Sequence, residues 1–70
     1  MKWIQVCLNV YRASKVIGDD IYRYRISDTG TVAILVKEKN GDIIERSEHD
    51  NVDSAKRTAE AYMCEESHNN

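Results

Sequence analysis

Between residues 21 and 48 apolar and polar side chains alternate with a period of two, and turn residues break the alternation twice. Tyr22, Tyr24 and Ile26 alternate with Ile21, Arg23 and Arg25, the pattern of a strand with one buried face. Asp28-Thr29-Gly30 reads as a three-residue turn, with Gly where a left-handed backbone is required. Residues 32–39 form the next expected strand. Asn40-Gly41 is a strong hairpin signal, because both central positions of a type I′ turn need positive φ. Residues 43–48 complete a meander.

The two turns set an expected register. Across Asn40-Gly41, Lys39 faces Asp42, Val36 faces Glu45 and Ile34 faces Ser47. Across the first turn, Ile26 faces Val32, Tyr24 faces Ile34 and Tyr22 faces Val36. One face then carries Tyr22, Tyr24, Ile26, Val32, Ile34, Val36 and Ile43. The other carries Ile21, Arg23, Arg25, Ala33, Leu35, Lys37, Lys39, Ile44, Arg46 and Glu48.

Upstream, Ile4, Val6, Leu8 and Val10 alternate with Trp3, Gln5, Cys7, Asn9 and Tyr11, which predicts a first strand over 3–11 that joins this sheet or covers its edge. Residues 14–20 read as a loop. Downstream, Asn51 is an N-cap and Asp53 sits in the first helical turn, where its charge suits the helix dipole. Val52, Ala55, Ala59, Tyr62 and Met63 recur at three- and four-residue steps and predict a helix over 52–65 with one apolar face. The expected domain is α+β: a small antiparallel sheet of three to four strands in a meander, with one C-terminal helix packed on one face. It spans residues 1–66 and leaves a flexible tail at 67–70.

Seventy residues make one domain. An apolar fraction of 41% supports one modest core. The net charge of −2 argues against a generally basic nucleic-acid-binding chain. The charge is unevenly spread: residues 1–26 carry five Lys/Arg against two Asp, and residues 27–70 carry five Lys/Arg against ten Asp/Glu. Cys7 and Cys64 stand in no paired motif, which fits reduced thiols in a cytosol. Trp3 to Val10 includes Gln5 and Asn9 and lacks a small-residue cleavage site, so no signal peptide is expected. No stretch approaches the ~20 apolar residues that span a membrane.

Candidate chemistry is sparse. Ser47, His49 and Asp50 lie close in sequence, but a triad needs a base and an orienting group that converge in a pocket. A chain this short has little volume for one, and no enzyme is expected. His49, Cys64 and His68 have no recognised ligand spacing, and the three glycines are isolated, so neither metal, phosphate loop nor cofactor is expected. Tyr22 and Tyr24 resemble base-stacking platforms on a sheet, but the register assigns them to the core. The constellation that remains is basic. Arg23, Arg25, Lys37, Lys39 and Arg46 fall on the expected helix-free face, either as the solvated side of the sheet or as a cationic surface for phosphates or an acidic protein. Glu48 and Asp42 dilute its charge.

Residues 21–62 resemble two known patterns. With Trp3, the segments Tyr24-Arg25-Ile26, Thr31–Val36, Asn40-Gly41 and the capped helix from Asn51 to Glu60 are similar to small phage and prophage accessory proteins. That resemblance implies a non-enzymatic product in the cytoplasm of a bacterial host, one that binds and inhibits a host protein or nucleoprotein such as a CRISPR or restriction complex. The sheet-plus-helix part also resembles the DNA-binding domains of plant ethylene-response factors and the arm domains of phage integrases. Those place exposed arginines of a three-stranded sheet in the major groove. Arg23 matches the Arg after that family's first Tyr, whereas Ile26 stands where a second Arg is expected and the middle strand has no Trp. This second pattern implies a small DNA-binding module. A homodimer through the edge of the first strand is a third reading.

Overall fold

Each strand hands over to the next through a short turn, and each turn is stabilised locally. The computed structural model describes residues 2–68, with side chains described as far as Cys64. Strands β1 (Ile4–Cys7), β2 (Val10–Ile17), β3 (Asp20–Asp28), β4 (Ala33–Lys39) and β5 (Asp42–His49) form one antiparallel sheet in chain order, and helix α1 (Val52–His68) follows. This is the expected α+β meander with a C-terminal helix, enlarged to five strands.

The extra strands come from residues 3–20. The expected single strand over 3–11 folds back at Leu8-Asn9, and the expected loop over 14–20 is the second half of β2 plus a two-residue turn at Gly18-Asp19. Gly18 has φ of 62° there, a conformation that costs glycine little. Four bonds cross between turns. Asp28 N donates to Asn9 O at 2.8 Å. At the other end of the sheet, Asn40 N donates to Ile21 O and Ile21 N donates to Asn40 Oδ1, both at 2.8 Å, while Asn40 Nδ2 donates to Asp20 Oδ1 at 2.9 Å. Asn40 and Gly41, at φ of 54° and 90°, form the expected positive-φ turn.

The expected register fails between β3 and β4. The connection is four residues, 29–32, in which Thr29 N donates to Val32 O at 3.0 Å and Thr29 Oγ1 donates to the same carbonyl at 2.9 Å. Ile26 therefore faces Leu35, Tyr24 faces Lys37 and Tyr22 faces Lys39. That odd shift turns every β4 side chain over: Ala33, Leu35, Lys37 and Lys39 lie on the helix side, and Ile34 and Val36 lie on the open side. Between β4 and β5, Lys39 faces Asp42 as expected. A bulge at Ile44 then slips the ladder by one, so that Val36 faces Arg46 and Leu35 faces Ser47. The two shifts cancel beyond the bulge, which leaves Arg46 and Glu48 on the open face where they were expected.

The core lies between the sheet and α1. Tyr24, Ile26, Ala33, Leu35, Ala55 and Ala59 are fully or almost fully buried, as is Met63, and Trp3, Tyr11, Tyr22, Val52 and Tyr62 pack around them. Ala33, Ala55 and Ala59 carry small side chains, so helix and sheet approach closely. The helix begins at its expected cap, with Ser54 N donating to Asn51 Oδ1 at 2.8 Å. Tyr62 Oη donates to Glu45 Oε1 at 3.0 Å and ties α1 to the last strand. The helix backbone continues through Ser67 and His68. Of the expected tail, residues 69–70 lie outside the described residues.

Candidate functional site

The helix covers one side of the sheet, and the strand pairing sets what stands on the other. One row crosses all five strands: Ile4 faces Arg12, Arg12 faces Arg25, Arg25 faces Val36 and Val36 faces Arg46. The neighbouring row carries Ser14, Arg23, Glu38 and Ile43. Val16 and Ile21 form a third. On the far side of the arginine row stand Val10, Ser27, Ile34 and Glu48. All four arginines are exposed.

Arg12 and Arg25 are the informative pair. Residues directly opposite on antiparallel strands have Cα atoms roughly 4.5–5.5 Å apart. Like charges at such positions destabilise a sheet. Arg25 Nη2 approaches Glu38 Oε1 at 3.9 Å, a long and partly solvated ion pair. Among the described residues no ion pair is formed by Arg12, Arg23 or Arg46. The fold therefore holds Arg12 and Arg46 on one open row, and Arg23 opposite Glu38 on the next, without a close ion pair to any of the three.

Aliphatic side chains are interspersed among these cations. Ile4, Val16, Ile21 and Ile43 are 55%, 65%, 43% and 61% exposed. A shallow hollow of about 350 Å³ lies at the turn end, lined by Ile21, Arg23, Asn40 and Gly41.

Of the residues expected to form the basic face, Arg23, Arg25 and Arg46 are on it. Lys37 and Lys39 are not; the β3–β4 register turns both to the helix side. Lys37 Nζ lies 5.6, 5.9 and 5.1 Å from the ring centres of Tyr22, Tyr24 and Tyr62, and Lys39 Nζ lies 5.8 Å from that of Tyr22. These lysines brace the rim of the core through cation–π contacts. Arg12 takes their place. It was missed because residues 14–20 read as a loop, although Gly18-Asp19 is itself a hairpin signal that would have paired Arg12 with Arg25.

The other candidates resolve separately. Ser47 Oγ and His49 Nε2 are 2.8 Å apart on the helix side of β5. Asp50 does not join that contact. Among the described residues no three His, Cys, Asp or Glu side chains are placed to hold a metal ion; the side chain of His68 lies outside them. Cys7 and Cys64 are free and exposed. No helix of the described residues is long and apolar enough to cross a membrane.

A scan against family models, a search of curated proteins and a search of solved structures each found no match to this chain.

Proposed function

We propose that this chain is a non-catalytic binding module that docks onto a macromolecular partner through the open face of its sheet. The observation that carries this reading is the row formed by Arg12, Arg25 and Arg46, in which two like charges are held directly opposite each other. Such a pair is unfavourable in the free domain and becomes favourable when a partner brings negative charge to it. The helix side serves as the scaffold. The resemblance to small phage accessory proteins points to a host protein or nucleoprotein, such as a CRISPR or restriction complex, as the partner, inhibited by occupation of its surface. The same arginines would serve a small DNA-binding module.

The test compares two variants of equal net charge. Arg12→Glu changes the open face, and Arg57→Glu changes an exposed position on the helix. Each is used as bait in a bacterial lysate, with and without nuclease. Arg12→Glu should lose the wild-type partner and Arg57→Glu should keep it. Equal retention by both would remove the open face from the account. A partner that disappears with nuclease would make DNA the target.

A further inference from the structure

The composition of the open face goes further than its charge. We propose that its occupant is an acidic protein surface carrying an aliphatic side chain, not a nucleic acid: carboxylates meet the arginine row, and the aliphatic group enters the hollow beside Arg23. This rests on the docking reading above and names the partner's chemistry.

Four observations favour a protein. All five aromatic residues of the chain, Trp3, Tyr11, Tyr22, Tyr24 and Tyr62, pack on the core side of the sheet, so the open face offers no aromatic platform on which a base could stack. Every cation that the strand pairing places on the open face is arginine, whereas Lys37, Lys39 and Lys56 lie over tyrosine rings on the helix side. Arginine is enriched and lysine depleted where proteins meet, and its planar fork binds carboxylate bidentately. Glu38 and Glu48 stand among the arginines, where they would repel a continuous phosphate backbone but tolerate discrete carboxylates. Finally, Ile21 lines the hollow, Val16 stands directly across from Ile21 on β2, and exposed Ile43 stands on the neighbouring row of the same face, which together offer apolar area for a partner's aliphatic side chain.

The hollow and the row are close enough to act together. Arg23 lines the hollow and is two residues from Arg25 on β3, so the two side chains emerge on the same face about 6–7 Å apart. A carboxylate next to an aliphatic residue would engage both.

The experiment titrates the isotope-labelled domain with three probes at low salt and follows backbone amide shifts. The probes are a short Glu/Leu peptide, the same peptide with each Leu replaced by Ser, and a short mixed-sequence DNA duplex. The Glu/Leu peptide should shift Arg12, Arg23, Arg25, Ile21 and Ile43 and bind about tenfold more tightly than its Ser counterpart, the factor expected from burying one aliphatic side chain. Val16→Ser combined with Ile43→Ser should remove that advantage, and the amide spectrum of the free variant reports whether it is folded. Tighter binding of the duplex on the same face would overturn the inference while leaving the docking face in place. Shifts confined to the helix side, or no shifts with any probe, would overturn both.

Discussion

At the scale of single residues, Asn40 does more than turn the chain. Its positive φ allows the β4–β5 hairpin, and its side chain and backbone bond to Ile21 and Asp20, at the neighbouring turn. One residue thus fixes two turns against each other. Asn40→Ala should cost about 1–3 kcal/mol, because it loses the side-chain bonds and strains a left-handed backbone. Asn40→Gly relieves the strain and should cost only about 0.5–1.5 kcal/mol. Chemical denaturation would separate the two, and equal losses would show that backbone conformation plays no part. At the helix start, Asn51→Ala should cost about 1 kcal/mol through the lost bond to Ser54 N.

At the scale of elements, the sequence disclosed strongly periodic segments and failed where periodicity was absent. The strand over 21–27, the Asn40-Gly41 turn and the capped helix were legible because each carries its own signal. Residues 32–36, Val-Ala-Ile-Leu-Val, are apolar without interruption, so no alternation could say which set faces the helix. Loop length decided it, and the four-residue connection reversed the expected choice. The resulting core places Ala33 and Leu35 opposite an alanine-lined helix. Ala59→Leu should overpack that contact and cost about 1–3 kcal/mol. Ala61→Leu, on the exposed side of α1, should stay within about 0.5 kcal/mol of the parent in the same denaturation series. The candidate site was only partly legible for the same reason: three of its arginines were placed correctly, two lysines were taken from the wrong side of β4, and Arg12 lay in a strand whose turn signal, Gly18-Asp19, was passed over.

At the scale of the whole molecule, the net charge of −2 conceals two different sides. One side holds the buried core, all the aromatic rings and the helix. The other holds four arginines among exposed aliphatic residues and is uncovered in the isolated domain. Placing Arg12 directly across from Arg25 costs the free sheet some stability, which the proposed partner would offset. The central claim is that these arginines serve binding and not folding, and the stability of Arg12→Thr tests it without knowledge of the partner. Threonine suits a strand and removes the like-charge pair. The denaturation midpoint of Arg12→Thr should be unchanged, or should rise by an amount worth up to about 1 kcal/mol. A loss of more than about 1 kcal/mol would identify Arg12 as part of the structural framework and contradict the account.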